Sequence, residues 1–243
     1  MMKSARVGYT KIVGWGVGEE AWSIDHLILP GDPTREEVWT DLEDVLTSEY
    51  KHASGAYLPL SMACIDSGYL TSHVYRFVKA LNRDWVRAIK GMSGEGRPIV
   101  QPAASLLAEM RKRRKRAKAE IIGVDDGKSL LYKRLQITEP GPGYLHFPKE
   151  RDREYLDQLT AEKLVIRYKK GRPHREWLQI RPRNEILDCW IYALAALRLL
   201  DPDIQKIKAR IVQARETPRA AKDKRKSSVA ALKPLTAGDP WLG

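Results

Sequence analysis

Long apolar runs, cysteines and nucleotide-binding loops are scarce in this chain, and each scarcity excludes a class of protein. No stretch approaches the roughly 18 to 20 apolar residues that a membrane-spanning helix requires, and no signal-peptide pattern opens the sequence, so we expect no membrane partner. Two cysteines, Cys64 and Cys189, fit a reduced cytosolic protein better than a disulfide framework or a zinc site. The glycine-rich segment 91–96 lacks a following Gly-Lys-Ser/Thr, so we expect no ATP hydrolysis by this chain.

Positive charge is what the chain has in excess, with a formal net charge of +12 over 243 residues. Every residue of 111–118 except Ala117 is Lys or Arg, and such a block repels itself and stays solvated. A concentrated cationic loop binds polyanions, of which nucleic acid is the usual one. A second basic segment, 169–175, is predicted to be the turn of a hairpin. We therefore predict contacts with double-stranded DNA from Arg111, Lys112, Arg113, Arg114, Lys115, Arg116, Lys118, Lys169, Lys170 and Arg172.

Hydrophobic periodicity predicts an α/β protein with a mixed sheet flanked by helices. Antiparallel strands come first and a helix follows them, which favours a mixed sheet over a strict βαβ repeat. A basic tail, partly helical and then disordered, is expected at 201–243, after a domain at 1–200. The predicted strands are 7–16, 21–29, 57–66, 85–90, 120–124, 164–168 and 176–180. The predicted helices begin near Thr34, after Thr71 as N-cap, and at 126, 152 and 183, the last one ending at 200.

Two aspartates occupy positions where a carboxylate needs an explanation. Asp66 ends a predicted strand, where α/β folds place ligands, although an Asp before Ser-Gly also suits a turn. Asp188 lies among the apolar residues of a strongly hydrophobic helix, and a carboxylate entering a buried face needs a partner such as a metal ion. Glu185, three residues earlier, is explained by the helix dipole alone. The cationic segments around these carboxylates favour Mg²⁺ or Mn²⁺ for phosphodiester hydrolysis.

Several short motifs, in this order, resemble the nuclease domain of the lambda-like (GpA) large terminase subunit of tailed phages. They are Val13-Gly-Trp-Gly16, Gly31-Asp-Pro33, Ile65-Asp-Ser-Gly68, Ile89-Lys-Gly91, Pro140-Gly-Pro-Gly-Tyr-Leu-His-Phe-Pro148, Leu159-Thr-Ala-Glu162 and Arg183-Asn-Glu-Ile-Leu-Asp-Cys189. The resemblance implies an RNase H-like fold and a two-metal endonuclease that cuts concatemeric viral DNA during packaging. It also implies that Asp66 and Asp188 are metal ligands, with Glu185 a weaker candidate. The implied setting is the host cytoplasm of a phage or prophage, with the terminase small subunit and the portal or procapsid as partners.

The sequence departs from that family pattern in two respects. Full-length members carry an ATPase motor before the nuclease, and this chain has no such segment. The family's first strand carries an Asp in a Val-Asp-Val-like motif, whose place here falls at Met1 and Met2. The first metal ligand and its central strand are therefore expected to be missing, and with them most cleavage by this chain alone. The alternative hypothesis is a non-catalytic DNA-binding or packaging-assembly fragment.

Overall fold

The computed structural model describes residues 8–101 and 119–216, which form a mixed α/β structure. Its strands are β1 (Gly8–Trp15), β2 (Ala21–Leu29), β3 (Glu49–Lys51), β4 (Tyr57–Pro59), β5 (Ala63–Asp66), β6 (Val86–Met92), β7 (Glu120–Gly123), β8 (Leu145–His146), β9 (Glu162–Lys169) and β10 (Arg172–Gln179). Its helices are α1 (Glu37–Thr47), α2 (Thr71–Leu81), α3 (Val124–Arg134), α4 (Arg153–Leu159), α5 (Glu185–Leu200) and α6 (Ile204–Glu216).

The strands that surround the core form two separate three-stranded sheets. In one, β1 pairs antiparallel with β2, and β2 pairs parallel with β8. In the other, β5, β6 and β7 are all parallel. Within the described part of the chain no strand of one sheet pairs with a strand of the other, so the single mixed sheet expected from the sequence is divided here. Helix α5 contacts both β1 and β5 and thereby joins the two sheets.

Helix α5 is the centre of the core because it is apolar on nearly all sides. A helix that is apolar all round is stable in water only when other elements cover it. Its most deeply buried side chains, each at most 2% exposed, are Ile186, Leu187, Trp190, Ile191, Leu194 and Ala195. Trp190 donates a hydrogen bond from its indole nitrogen to the Tyr155 hydroxyl at 2.8 Å, which satisfies a polar atom that burial would otherwise leave unpaired. The buried helix is therefore a rigid support for the residues along it, including Asp188.

Three sequence predictions about local structure are wrong. The strand expected over 57–66 is two strands, because β4 pairs with β3 while β5 pairs with β6. Thr71 is the first residue of α2 rather than its N-cap, and its hydroxyl donates to the Ser67 carbonyl at 2.6 Å. The basic turn expected over 169–175 shrinks to Lys170 and Gly171, whose φ values of +52° and +74° suit a tight hairpin turn. The turn was predicted too long because the exposed, charged residues of these strands have the composition of a loop.

Several predictions concern residues at the edges of the described ranges. Part of the expected tail is helical, as predicted, since α6 covers Ile204–Glu216. The basic run 111–118 and residues 217–243 lie outside the described residues. None of the described helices is both long and apolar enough to cross a membrane.

Candidate acidic site at the start of helix α5

Asp66 is the last residue of β5 and points to the carboxyl edge of the parallel sheet. Its Oδ1 accepts a hydrogen bond from the Gly68 amide at 2.9 Å, so the aspartate both ends the strand and shapes the turn after it. A role for Asp66 as a ligand at the end of a strand is therefore compatible with its role as a turn residue. Ser67 fixes this turn against β6, because its buried hydroxyl donates to the Ile89 carbonyl at 2.7 Å. The Asp66 side of the turn remains exposed to solvent.

Asp188 lies in the first turn of α5, and Tyr192 lies one turn further along the same side of the helix. The pKa of Asp188 is raised from 3.8 to about 6, chiefly by burial; Lys128 opposes the rise, and the nearby Glu162, Asp66 and Glu185 carboxylates add to it. Burial also raises the pKa of Tyr192, and the Asp66 and Asp188 charges add to that effect. The negative charge around Asp188 is thus only partly compensated.

The structure brings Asp66 and Asp188 into one neighbourhood, although they come from different elements of the chain. Tyr192 hydrogen-bonds to the Asp66 side chain, and each aspartate affects the pKa of the other residues there. Gly91 in β6 leaves room for this tyrosine, since a Cβ at that position would lie 2.7 Å from the Tyr192 hydroxyl oxygen. The Ile89-Lys-Gly91 motif therefore has a steric role beside the site.

Glu162 and Lys128 are site residues that the sequence reasoning did not identify. Glu162 is 5% exposed, and its two carboxylate oxygens accept hydrogen bonds from Lys128 Nζ at 2.6 Å and Asn184 Nδ2 at 3.0 Å. Asn184 immediately precedes α5, so this pair fastens the start of the helix that carries Asp188. The only sequence signal was that Glu162 closes the Leu159-Thr-Ala-Glu162 motif. Lys128 carried none, because a lysine in a helix is normally assumed to be solvated.

Glu185 starts α5 and contributes less directly to the site. Its carboxylate lies 3.5 Å from Arg183 Nε, and its negative charge raises the pKa of Asp188. Its Oε2 is buried and has no hydrogen-bond partner among the described residues. The position agrees with the helix-dipole interpretation, and the same Oε2, although it accepts no hydrogen bond, is the atom that faces Arg183.

No group of three or more His, Cys, Asp or Glu side chains within residues 8–101 and 119–216 is arranged to hold a metal ion. The site therefore consists of the Asp66 and Asp188 pair, with Glu185 nearby and Glu162 already bound to Lys128. Oxygen donors of this kind suit a hard cation that retains part of its water shell. Such an arrangement can concentrate positive charge at the edge of the parallel sheet.

Three of the predicted DNA-binding residues, Lys169, Lys170 and Arg172, belong to the hairpin β9–β10, which begins beside this site. Glu162, which anchors the start of α5, is also the first residue of β9. Lys170 and Arg172 are exposed at the far end of the hairpin. The Lys169 side chain and the cationic residues of 111–118 lie outside what the structure describes.

Comparison with known proteins agrees with the resemblance seen in the motifs. Residues 5–209 match the family described as terminase large subunit gpA, endonuclease domain. The chain is 35% identical over 199 residues to the terminase large subunit of Escherichia phage lambda, covering 78% of this chain and 30% of that protein. It is 32% identical over 195 residues to the terminase large subunit of Enterobacteria phage P21, covering 76% of this chain and 29% of that protein. No solved structure matches. The chain thus spans less than a third of the relatives' length, and it belongs to the gpA endonuclease-domain family of terminase large subunits.

Proposed function

We propose that this chain is a metal-dependent DNA endonuclease domain acting in the packaging of phage DNA. The observation that carries the proposal is the pairing of Asp66 with Asp188 around Tyr192, beside a basic hairpin. Carboxylates that repel one another on a protein with net charge +12 make sense when a cation joins them. Membership of the family supports cleavage of concatemeric viral DNA as the reaction and an RNase H-like arrangement of the strands.

The donor set fits Mg²⁺ or Mn²⁺ better than zinc. Asp66 is exposed and can reach a hydrated ion, whereas Asp188 is held on the core helix. Both cysteine thiols have their pKa raised to about 12 by burial, so neither is a ready thiolate ligand. Glu185 is the weaker candidate beside the two aspartates, because its Oε2 accepts no hydrogen bond but already lies 3.5 Å from Arg183 Nε.

The chain's own residues would orient the site. Tyr192 and the Gly68 amide hold the Asp66 carboxylate, and the Lys128–Glu162–Asn184 contacts hold the start of α5. Bound metal would supply an activated water and would stabilise the leaving oxygen of the phosphodiester. In the reaction a water oxygen bonds to phosphorus, one ester P–O bond breaks, and the departing oxygen ends as a hydroxyl group.

A second function remains in competition, namely DNA binding or packaging assembly without cleavage. It is favoured by one observation: the described residues contain a pair of close aspartates instead of a larger metal-binding cluster. Under either function, double-stranded DNA is the proposed ligand. The terminase small subunit and the portal or procapsid are the proposed protein partners, and the host cytoplasm is the proposed site of action.

The test measures Mn²⁺ binding and plasmid nicking by the same protein preparations. Wild type should bind Mn²⁺ and should nick supercoiled DNA only with Mg²⁺ or Mn²⁺ present. Asp66→Asn and Asp188→Asn should each weaken Mn²⁺ binding by at least about tenfold, because each removes a charged oxygen ligand. Glu185→Gln should have a smaller effect. Asp157→Asn, at an exposed carboxylate on α4, is the matched control and should behave as wild type.

The two readouts separate the competing functions. Mn²⁺ binding that depends on both aspartates, with little nicking, supports the site and agrees with the expected weakness of this chain alone. Metal-dependent nicking that survives both substitutions contradicts the site assignment. Absence of both Mn²⁺ binding and nicking, with DNA binding intact, favours the non-catalytic function.

A further inference from the structure

The hairpin β9–β10 exposes an apolar face that the core does not cover. In its antiparallel register Leu164 pairs with Trp177, and Tyr168 pairs with Pro173, and paired residues lie on the same face of the ribbon. Ile166 lies between them on that face, opposite Arg175. Leu164, Ile166 and Tyr168 are 45%, 61% and 74% exposed, so exposure increases steadily toward the tip. We call Leu164, Ile166, Tyr168, Pro173 and Trp177 the ribbon face.

The base of the ribbon face is fixed to the protein next to the acidic site. Trp177 packs against the Tyr132 ring of α3, with ring centroids 5.0 Å apart. Glu162 starts β9 and is held by Lys128 and Asn184, and Asn184 directly precedes the helix that carries Asp188. A ligand bound at the acidic site would therefore meet the ribbon at its root. The outer part, from Ile166 to Tyr168, is free to contact that ligand.

The charges around the ribbon face indicate a polyanion rather than an apolar protein surface. Lys163, Lys170, Arg172 and Arg175 are all exposed on the hairpin. Arg167 pairs with Glu176 at 2.7 Å, so part of the charge is neutralised within the ribbon while the tip remains cationic. A two-stranded ribbon fits the major groove of DNA, and apolar or aromatic side chains contact bases, whereas lysine and arginine contact phosphates. DNA offers both kinds of surface to one ribbon.

Resting on the proposed function, we propose that the ribbon face contacts the bases of DNA held at the acidic site, with Tyr168 as the principal contact. Lys170 and Arg172 bind the flanking phosphates and position the ribbon. The hairpin thus serves two purposes: its cations supply salt-sensitive affinity, and its apolar face supplies contacts that release no counterions. The two kinds of contact can therefore be distinguished by how DNA affinity depends on salt concentration.

The experiment measures duplex DNA binding by the full chain in EDTA across a series of salt concentrations, using fluorescence anisotropy. Tyr168→Ala should weaken binding by at least about fivefold, in line with the loss of the apolar area that the ring buries against base edges in the major groove, and should leave the salt slope unchanged. Arg172→Ala should weaken binding and reduce the slope by about 0.9, as expected for one lost phosphate contact. Tyr168→Phe should retain wild-type affinity, because the ring rather than the hydroxyl makes the contact.

Matched controls separate a local contact from damage to the fold. Tyr57→Ala removes another aromatic residue, 61% exposed on β4, and should leave affinity unchanged. The measurement is made in EDTA, so a failure of the metal site would not affect it. The thermal midpoint of Tyr168→Ala should match wild type, because a side chain 74% exposed contributes little to the core.

Three outcomes would overturn the proposal. In the first, Tyr168→Ala and Ile166→Ala both leave DNA affinity within about twofold of wild type, against the loss expected when apolar contacts with base edges are removed. In the second, Tyr168→Ala lowers the salt slope as much as Arg172→Ala, which would make its effect electrostatic. In the third, DNA affinity is unchanged while the Tyr168→Ala substitution alters self-association in sedimentation, which would assign the ribbon face to a contact between copies of the chain.

Discussion

Helix α5 has two sides that accommodate ionisable groups in opposite ways. On one side Asp188 and Tyr192 face Asp66, and burial together with neighbouring carboxylates raises the pKa of Asp188 to about 6. On the other side Trp190 faces Lys11, whose pKa is lowered to about 7, chiefly by burial and also by the Arg151 charge. Both groups are pushed toward their neutral forms by the same desolvation. The two sides differ in the residues that surround the Asp188 carboxylate and the Lys11 amine.

Lys11 is surrounded by partners that need no further ligand. Its amine donates to the Ser23 hydroxyl and to the Asp25 carbonyl at 3.1 Å, and it lies 5.2 Å from the Trp190 ring centroid and 5.5 Å from that of Tyr155. Asp188 instead meets other carboxylates, and the nearby Lys128 is already bound to Glu162. One side of α5 is therefore closed and structural, whereas the other keeps partly uncompensated negative charge that a cation could neutralise.

The largest expected loss of stability comes from a cavity on the closed side of α5, where Trp190 lies. Trp190→Ala should lower the free energy of unfolding by about 3–5 kcal/mol, because it leaves a cavity and removes the hydrogen bond to Tyr155. Urea denaturation followed by circular dichroism measures this loss. Trp22→Ala is the control: Trp22 is 38% exposed although it stacks on His146, so its loss should be much smaller. Similar losses for the two variants would contradict the central role of this side of α5.

The next largest loss of stability is expected from breaking the buried Lys128–Glu162 ion pair on the acidic side of α5. Glu162→Ala should cost about 3 kcal/mol because it leaves the Lys128 charge buried without its partner. Lys128→Met combined with Glu162→Gln should cost less than the sum of the two single substitutions, and the difference gives the coupling energy by urea denaturation. The exposed Arg153–Asp157 pair is the matched control, with an expected coupling below about 0.5 kcal/mol. Equal coupling for both pairs would mean that burial does not strengthen the Lys128–Glu162 contact.

The smallest effect is a pH dependence that belongs to the closed side. Between about pH 7 and pH 10.5 the unfolded Lys11 holds a proton that the native Lys11 has lost, so native stability should rise with pH through this range. Wild type should therefore gain roughly 2.5 kcal/mol between about pH 7.5 and pH 9.5 relative to Lys11→Met. Denaturant midpoints at the two pH values measure the gain. Lys170→Met, at the exposed hairpin tip, should retain the wild-type slope, and a Lys11→Met slope equal to wild type would disprove this assignment.

The sequence predicted individual elements better than their assembly. Residues 21–29 form a strand as predicted, and the expected helices near 126–135 and 183–200 are present with small shifts at their ends. Apolar spacing is a local signal, and it sufficed there. The hairpin turn was placed wrongly because its strands are exposed and charged, so they lack the apolar alternation that marks a half-buried strand.

The candidate site was predictable only in part. Asp66 and Asp188 were singled out because each carboxylate stood at an odd place within an apolar segment. Glu162 and Lys128 were missed, since a buried ion pair 34 residues apart leaves no mark in either local pattern. Lys11 was missed for the same reason, because its burial depends on α4 and α5 packing over β1.

The sequence by itself determined the element types, the excess of positive charge and the family. These properties follow from local periodicity, from composition and from ordered motifs, and they require no knowledge of which residues meet. Only the tertiary structure decided that Asp66 and Asp188 both lie near Tyr192, that Glu162 is held by Lys128, and that the ribbon face is exposed. The physical reason is that burial raises or lowers a residue's pKa and decides whether its charge is compensated, and burial is set by contacts between distant segments.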